Sequence, residues 1–536
     1  MGHEAWGKSS ILRPQALTNF TKMAKIKTAL ISVYDKKGIV DFCSILHKKR
    51  ISIISSGGTA KVLKEAGIPV TDVEKITGFP EMLDGRIKTL HPKIHGGLLA
   101  VRSNKAHMKA LKEKKIEPID LVAVNLYPFE ERLREGASDA DLIENIDIGG
   151  PTLIRAAAKN YKDVSIITNP EHYTNIAKDI DKSGTVSEKT NEWLAAEAFN
   201  YVAHYDGLID RYFEQIRNHN YFPKYINLTY EKREDLRYGE NPSQKAAVYR
   251  SCLSKGGLGN EVQLQGKQLS YNNLLDMDAA WGLVNEFSEP AIVIVKHTNP
   301  CGVAIADNLK EAFKRAYSCD SLSAFGGIVA ANKEIAEDLA TELSALFLEE
   351  IIAPSYTNEA LKILQKKEKV RVIKAEKRTN KFKLPQLNYR DISAGLVVQT
   401  PNDEEIDQKK LKVATKIKPT QEQMKDLVFA WKVCKHVKSN AVVFAKDLQT
   451  VGIGAGQMSR VDSTKIASYK SNGKSFGSVM ASDAFFPFRD AVDAAADAGV
   501  KAIIQPGGSI KDNEVIQAAN ERGVAMVLSG LRTFKH

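Results

Sequence analysis

The feature that most constrains the fold of this chain is an alternation of short apolar runs with amphipathic segments, which begins at Thr28. Strand and helix in regular succession are typical of a parallel α/β sheet. A long amphipathic helix over residues 193–216 closes this region, and the Asn- and Tyr-rich stretch 217–238 predicts a domain boundary. The predicted strands are residues 29–33, 51–54, 121–124 and 164–167, and the predicted helices include 38–47 and 59–66.

The chain beyond residue 238 repeats itself once. A β-branched run at 292–295, a glycine-containing strand from Gly302 and a Ser-Ala-Phe-Gly segment at 323–326 are echoed at 440–444, 452–456 and 482–485. We therefore predict two similar α/β subdomains, each with a mixed sheet flanked by helices. Their join is expected in the basic stretch 361–395.

The net charge of +11 is concentrated in one segment, because residues 361–390 contain eleven Lys or Arg and two Glu. This segment fits either a cationic arm that steers small anions or a solvated face. It has none of the aromatic interleaving that single-stranded nucleic acid requires. A nucleic-acid or scaffold role remains the alternative from another class, with salt-sensitive RNA binding as its test.

The five cysteines form no Cys-x-x-Cys pair, which indicates reduced thiols in a cytoplasmic compartment and no zinc site. The chain has no apolar stretch of the ~20 residues that a membrane span needs, so we expect no membrane association. Residues 1–22 look like an N-terminal extension, with an organellar transit segment as the alternative.

A predicted strand at 291–295 ends on Lys296 and His297, just before the breaker Thr-Asn-Pro-Cys-Gly. A group that titrates near neutral pH beside a cation suits proton transfer to and from an amine. Ligands of open α/β sheets bind at such carboxyl ends. The alternative is a strand that simply runs out into solvent.

Other candidate residues lie in the first half of the chain. The segment from Ser56 to Thr59 follows a strand and opens a helix, which suits a phosphate, although a glycine-rich turn explains it too. His91 and His95 lack an acidic or thiol companion, so we expect no metal. Asp147 precedes a predicted helix and Lys159 ends it. Capping and complementing the helix dipole are the structural alternatives.

Several motifs resemble those of bifunctional purine biosynthesis enzymes. The segments beginning at Ile31, Ser56, Arg86, Asn125, Asp147 and Ala156 resemble the inosine monophosphate (IMP) cyclohydrolase domain. Those beginning at Arg237, Lys296, Lys438, Gly454, Ser482 and Gln505 resemble the aminoimidazole carboxamide ribonucleotide (AICAR) transformylase domain. The resemblance runs from about residue 25 to the last residues, in order. It implies a methylglyoxal-synthase-like parallel-sheet domain followed by two cytidine-deaminase-like α/β subdomains.

The resemblance also implies a homodimer whose transformylase sites lie between subunits. We expect an extension over 1–22, the cyclohydrolase domain over 23–222, and transformylase subdomains over 223–390 and 391–536. The implied activities are formyl transfer from 10-formyltetrahydrofolate to AICAR, and then cyclodehydration of the formylated product to IMP. Neither step needs a metal or redox cofactor, although the family can carry a structural potassium ion. A monofunctional enzyme is the rival within this class.

For formyl transfer, the resemblance implies His297 as the base, Lys296 as the group that stabilises the oxyanion or protonates the departing folate, and Asn440 as an orienting residue. Glu349 stands where the family usually has Asp. The implied substrate contacts are Arg237, Tyr238, Gly326, Glu349, Arg460, Phe485, Asp490, Ser509 and Arg532.

For ring closure, the resemblance implies Lys159 as proton carrier with Asp147 as its partner, and Lys88 and Tyr127 near the oxyanion. Tyr34 replaces a small Ser of the family pattern. The implied substrate contacts are Ser32, Asp35, Lys36, Ser56, Gly57, Gly58, Thr59, Arg86, Thr89 and Asn125.

Overall fold

The computed structural model describes residues 24–379, 384 and 386–536, which form two compact units. The first unit ends at Thr229 and the second begins at Tyr230. The predicted extension over residues 1–22 lies outside the described residues, as do residues 380–383 and 385 of the basic segment. Among the described residues, no helix combines the length and apolarity that crossing a bilayer requires.

The first unit is built on a parallel sheet in the order β3-β2-β1-β4-β5. Every strand pair is parallel, which confirms the prediction from the alternating pattern. The interior strand β4 is buried along its whole length, as a strand covered on both faces must be. The strands are β1 (Thr28–Val33), β2 (Ser52–Ser55), β3 (Thr71–Asp72), β4 (Leu121–Asn125) and β5 (Ser165–Ile167).

Ten α-helices accompany this sheet among the described residues of the first unit. The last of them begins at Glu188, before the predicted start at 193, because the Ser187 side chain caps it by accepting from the Thr190 N–H at 3.0 Å. The helices are α1 (Ile39–Lys48), α2 (Gly57–Glu65), α3 (Val73–Thr77), α4 (Pro92–Leu99), α5 (Lys105–Glu113), α6 (Phe129–Glu135), α7 (Asp139–Glu144), α8 (Gly149–Lys159), α9 (Tyr173–Ser183) and α10 (Glu188–Arg211).

The second unit contains a twelve-stranded sheet in the order β16-β21-β20-β19-β17-β18-β10-β9-β11-β12-β13-β8 and two separate hairpins, β6–β7 and β14–β15. The strands are β6 (Tyr230–Asp235), β7 (Ala247–Ser251), β8 (Val262–Gln265), β9 (Ala291–Lys296), β10 (Asn299–Ile305), β11 (Ile328–Ala331), β12 (Glu350–Ala353), β13 (Arg371–Lys374), β14 (Asn388–Ile392), β15 (Gly395–Gln399), β16 (Lys412–Val413), β17 (Val442–Lys446), β18 (Gln449–Gly454), β19 (Val479–Ser482), β20 (Ala502–Gln505) and β21 (Ala525–Leu528).

Helices cover both faces of the twelve-stranded sheet. The helices that begin at Tyr271 and Gln421 pack on one continuous apolar layer that spans the sheet. The other helices cover two separate apolar layers. The helices are α11 (Tyr271–Val284), α12 (Leu309–Cys319), α13 (Ser321–Ala324), α14 (Glu337–Ser344), α15 (Asn358–Gln365), α16 (Gln421–Cys434), α17 (Arg460–Ser471), α18 (Asp490–Asp497) and α19 (Asp512–Glu521).

The sheet consists of two halves with the same strand order, joined by the antiparallel pair β10–β18. Each half has a helix that opens with a capping box, α11 from Ser270 and α16 from Thr420. Each half also has a two-residue turn with positive φ at both positions, between β9 and β10 and between β17 and β18. The sequence echo corresponds to this duplication. The predicted subdomain boundary at 390/391 falls within β14.

Candidate active sites

The first unit has a cavity of about 440 Å³ at the carboxyl ends of β1, β2 and β4, which we call the N-terminal cavity. Polar groups collect there because parallel strands end at one edge of the sheet. All but two of the residues predicted for ring closure line it. They are Ser32, Lys36, Ser56, Gly57, Gly58, Thr59, Arg86, Lys88, Thr89, Asn125, Tyr127 and Asp147.

One corner of the N-terminal cavity is suited to a phosphate. Helix α2 begins there at Gly57, so its first backbone N–H groups lack partners within the helix. A Cβ atom added at Gly57 would lie 3.4 Å from Lys88 Nζ, and one at Gly58 would lie 3.8 Å from Lys36 Cε. Both lysines therefore lie beside the helix terminus. The Thr59 hydroxyl is already bonded to the Val33 carbonyl at 2.9 Å, which leaves its backbone N–H for a ligand.

Asn125, a predicted substrate contact that lines the N-terminal cavity, also bonds to the protein backbone. Its side-chain oxygen accepts from the backbone N–H groups of Tyr34 and Asp35 at 2.6 and 2.9 Å, and its Nδ2 donates to the Asp35 carbonyl at 3.0 Å. Asn125 thus holds the loop that follows β1. The Asp35 side chain accepts from the Lys37 N–H and does not line the cavity.

Asp147 caps α8 and also faces the N-terminal cavity. Its carboxylate accepts from the Gly150 N–H at 2.7 Å, and its own N–H donates to the Tyr205 hydroxyl at 2.8 Å. Burial raises the pKa of Asp147, although the N–H groups of Gly150 and Tyr127 and the charge of Lys88 oppose the shift. The same side chain therefore bonds to the first turn of α8 and faces the cavity, so the capping role and the predicted role in ring closure do not exclude each other.

Lys159 does not line the N-terminal cavity. It is the exposed last residue of α8, whereas the first residues of that helix line the cavity. Ten residues at ~1.5 Å each separate the two ends by roughly 15 Å. This placement fits the alternative in which Lys159 complements the helix dipole. Arg86 lines the cavity and pairs with the Glu144 carboxylate at its rim.

The second unit has a smaller cavity of about 220 Å³ next to Lys296 and His297, which we call the Lys296 cavity. His297 and Thr298 form the turn between β9 and β10, with φ values of 51° and 61°. Asp276 of α11 accepts from the Thr298 N–H at 2.6 Å and so holds this turn from the face of the sheet that α11 covers. The imidazole of His297 is consequently presented at the sheet edge and exposed.

The Lys296 ammonium donates to the Phe325 carbonyl at 2.6 Å. The next residue is Gly326, which has φ of 67° and no room for a bulky group, because an added Cβ would lie 3.3 Å from the Phe347 ring and 3.9 Å from Lys296 Nζ. Gly326 therefore allows the backbone to pass close to the ammonium. These contacts place the cation and His297 on the same cavity wall.

Asn440 and Arg460 form a network behind the second site. Asn299 bonds the His297 carbonyl through Nδ2 at 3.1 Å and accepts from the Lys438 N–H at 3.0 Å, which links the His297 turn to the segment that carries Asn440. Arg460 donates to Asn440 Oδ1 at 2.9 Å, to Phe485 O at 2.9 Å and to the buried Asp483 carboxylate. Its guanidinium is buried and engaged, so Arg460 positions Asn440 and does not present its fork to a phosphate.

The remaining predicted contacts do not line the Lys296 cavity. Arg237 bonds the Tyr238 hydroxyl at 2.7 Å and lies over its ring, while Arg532 lies over Phe534 with its charge exposed. Three other predicted contacts bond to neighbouring backbone groups or to an arginine. Glu349 pairs with Arg371 at 2.8 Å, Asp490 accepts from the Ala491 N–H, and Ser509 accepts from the Lys511 N–H.

Four residues at the second site were not predicted from the sequence: Asp276, Asn299, Asp320 and Lys470. Asp276 and Asn299 hold the turn of His297 and Thr298, and Asp320 and Lys470 line the cavity. The spacing of the repeat contained a signal for Asp276, because Asp426 bonds the N–H groups of Asp447 and Leu448 in the same way in the other half.

The fold and the two sites are typical of an enzyme with two separate catalytic units, one with a helix terminus suited to a phosphate and one with a lysine–histidine pair suited to proton transfer. A model of the MGS-like domain matches residues 38–152, and a model of the AICARFT/IMPCHase bienzyme matches residues 157–470.

Curated relatives extend the match over almost the whole chain. The bifunctional purine biosynthesis protein PurH of Ruminiclostridium cellulolyticum is 52% identical, and that of Persephonella marina is 53% identical, each over 95% of this chain and 100% of its own. The protein of the same name from Thermoanaerobacter sp. is 52% identical over the same shares. This chain belongs to the AICARFT/IMPCHase bienzyme family. It is a bifunctional enzyme of purine biosynthesis, with formyltransferase and IMP cyclohydrolase activities.

Proposed function

We propose that the N-terminal cavity closes the purine ring and that the Lys296 cavity transfers the formyl group. The observation that carries this assignment is that the two units hold different sets of chemical groups. The first unit gathers a helix N-terminus, two lysines and an acid, and the second presents His297 next to a fixed ammonium. The domain limits 23–222, 223–390 and 391–536 belong to this proposal.

In formyl transfer, the 5-amino group of AICAR attacks the formyl carbon of 10-formyltetrahydrofolate. The amine is a weak nucleophile because its lone pair is delocalised into the imidazole. His297 accepts the amine proton as the bond forms, and Lys296 stabilises the oxyanion or protonates the departing folate nitrogen. Asn440 orients the reacting groups. The exposed Arg237 and Arg532 and the partly exposed Tyr238 remain to contact the nucleotide.

In ring closure, the carboxamide nitrogen attacks the formyl carbon and water is lost. The N-terminus of α2, with Lys36 and Lys88, binds the ribose phosphate. Asp147 holds the ring-closing groups beside Tyr127, whose exposed phenol lies at the cavity wall. Lys159 as proton carrier remains a prediction from the resemblance.

We propose that the functional form is a homodimer in the cytoplasm. Support for an interface comes from Leu322, Phe325 and Phe347 near the Lys296 cavity, which are 83%, 62% and 54% exposed. Exposed apolar side chains in contact with one another mark interaction surfaces, and the Phe325 and Phe347 rings stack at 4.9 Å. Four of the five cysteines are buried, which suits a reducing compartment.

We propose that the structural potassium ion implied by the resemblance binds near Thr533 in the second unit. The Thr533 hydroxyl is buried without a hydrogen-bond partner among the described residues, and the Thr533 N–H donates to the Asp483 carbonyl at 2.9 Å. Oxygen atoms of Thr533, Asp483 and Ser439 would hold the ion, which would neutralise buried lone pairs and take no part in the chemistry. A thermal midpoint that is higher in KCl than in choline chloride would support this site.

Two single variants test the assignment of the cavities. His297→Ala should abolish formyl transfer and leave ring closure within twofold, and Lys88→Ala should do the reverse. The two reactions are assayed separately, one with AICAR and formylated folate, the other with the presynthesised formylated ribonucleotide. Lys159→Ala belongs to the same series, because the resemblance predicts loss of ring closure whereas the exposed position within one chain predicts little effect.

Loss of both activities in either variant, or of neither, would contradict the assignment. Circular dichroism and the thermal midpoint of each variant serve as folding controls, because each unit keeps its own core.

A further inference from the structure

The Lys296 ammonium depends on a carbonyl that belongs to a short connecting segment. Lys296 Nζ donates to the carbonyl oxygen of Phe325 at 2.6 Å, and Phe325 directly follows the four-residue helix α13. So short a helix has no stability of its own. The position of this carbonyl must therefore be set by what holds α13.

Asp320 holds α13 at its first turn. Its carboxylate accepts from the Ser323 N–H at 3.0 Å and from the Ser323 hydroxyl at 2.7 Å. The Lys470 ammonium donates to the same carboxylate at 2.7 Å and to the Ser323 hydroxyl at 3.1 Å. Burial alone would raise the pKa of Asp320, but the bonds from Lys470 and Ser323 outweigh it and lower the pKa, so the carboxylate is ionised at neutral pH.

Lys470 lies in α17 and therefore belongs to the other half of the sheet. Asp320 directly precedes α13 in the first half of the sheet, so this ion pair links residues that are 150 positions apart and belong to different halves. Both line the Lys296 cavity together with Ser323. The two halves thus meet through opposite charges directly at the wall that carries Lys296.

The second half offers an internal comparison. Lys446 corresponds to Lys296, and its Nζ lies 3.4 Å from the Phe476 carbonyl, against 2.6 Å in the first half. Asn472 and Gly473, both with positive φ, replace the short helix there. The tighter contact occurs in the half that has His297, where an acid and a lysine secure the connecting segment.

We infer that Asp320 and Lys470 are positioning residues for formyl transfer, which hold α13 so that the Phe325 carbonyl fixes the Lys296 ammonium beside His297. The inference rests on the proposed function of the Lys296 cavity. A cation fixed before the reaction stabilises developing charge without reorganisation, so its loss affects the chemical step more than binding.

The test measures kcat and KM of formyl transfer for Lys470→Met, Lys470→Arg and Asp320→Asn, with Lys465→Met as the matched control on the exposed face of α17. We expect kcat to fall at least tenfold in Lys470→Met with KM for AICAR within threefold. Lys470→Arg keeps the ion pair and should stay within threefold of the parent, and Lys465→Met within twofold. The double variant Lys470→Met/Asp320→Asn should be no worse than Lys470→Met alone, because the residues act as a unit.

A kcat unchanged in both Lys470→Met and Asp320→Asn, or additive losses in the double variant, would overturn the inference. His297→Ala is measured in parallel. If His297→Ala retains formyl transfer, the proposed function fails. If His297→Ala is inactive while the Asp320 and Lys470 variants are unaffected, only the positioning role fails. The circular dichroism spectrum and thermal midpoint of each variant report whether the second unit is folded, because ring closure is assigned to the first unit.

Discussion

Arg460 donates to the side-chain oxygen of Asn440 at 2.9 Å from a position that is 7% exposed. The same guanidinium bonds the Phe485 carbonyl and the Asp483 carboxylate, so its donors are consumed by the protein. Arg460, which the resemblance implies as a nucleotide contact, is therefore bonded to Asn440 and other groups of the protein.

This arrangement predicts opposite kinetic effects at two arginines. Arg460→Lys should lower kcat of formyl transfer roughly 10²-fold with little change in KM, since one ammonium cannot replace a planar fork. Arg532→Lys should raise KM for AICAR about tenfold and leave kcat within threefold, because Arg532 is exposed and available to a phosphate. Steady-state kinetics of both variants check this, and a higher KM in Arg460→Lys would contradict it.

Asp147 should make the rate of ring closure fall at low pH, which gives the pH–rate profile an acidic limb. Burial raises its pKa, and the ionised carboxylate accepts from the Gly150 N–H and faces Lys88, so the rate should fall as pH drops through that raised pKa. Asp147→Asn should reduce kcat by about 10²-fold at pH 8 and remove the acid limb. Profiles between about pH 4.5 and 8 measure it, with the exposed Glu113→Gln as control. A limb that persists in Asp147→Asn would refute the role.

Glu350 should make stability depend on pH. Neither of its carboxyl oxygens has a hydrogen-bond partner among the described residues, and burial raises its pKa to about 9 from 4.5. The folded protein therefore holds a proton that the unfolded chain releases above pH 4.5, so this residue's contribution to stability falls as pH rises towards 9.

Glu350→Gln removes this dependence. Relative to the parent, the variant should gain about 1 kcal/mol per pH unit between pH 5 and 8. Urea denaturation at several pH values measures the difference, and the exposed Glu359→Gln should show none. A constant difference across the range would show that Glu350 is ionised when folded.

Gly302 should resist substitution because β10 passes close to helix α12. A Cβ atom there would lie 2.0 Å from the Ala316 carbonyl oxygen, and Gly452 meets the Ala467 carbonyl in the same way at 2.1 Å. Gly302→Ala should destabilise the second unit by about 3 kcal/mol or more and lower formyl transfer while ring closure survives. Gly395→Ala is the control, since its nearest neighbour lies at 3.8 Å. Equal midpoints for the two variants would contradict the packing argument.

The local elements of the first unit were predictable because its strands are short, apolar and separated by amphipathic helices. The parallel order placed Ser32, Ser56 and Asn125 at one edge, as the pattern indicated. The bonding of Asn125 to the loop after β1 was not predictable. That bond joins residues 90 positions apart, and a polar residue at a strand end looks the same in sequence whether it contacts a ligand or a loop.

The second unit was less accessible to sequence reasoning. Its repeat was visible, but the pairing of β10 with β18 merges the two halves into one sheet through a single short junction that has no distinct sequence signature. Of the contacts that were not predicted, Asp276 lies 22 positions from Thr298, whereas Lys470 reaches Asp320 across 150 positions.

By itself, the sequence determined the α/β class, the duplication and the chemical groups that the two reactions need, since these follow from local periodicity and residue type. Only the tertiary structure decided which of those groups meet. In the folded chain, Arg460 and Asn125 form hydrogen bonds within the protein, Lys159 lies outside the lining of the N-terminal cavity, and Asp320 pairs with Lys470. The physical reason is that a polar side chain takes whichever partner packing brings within about 3 Å. That partner is set by the crossing of distant strands and helices.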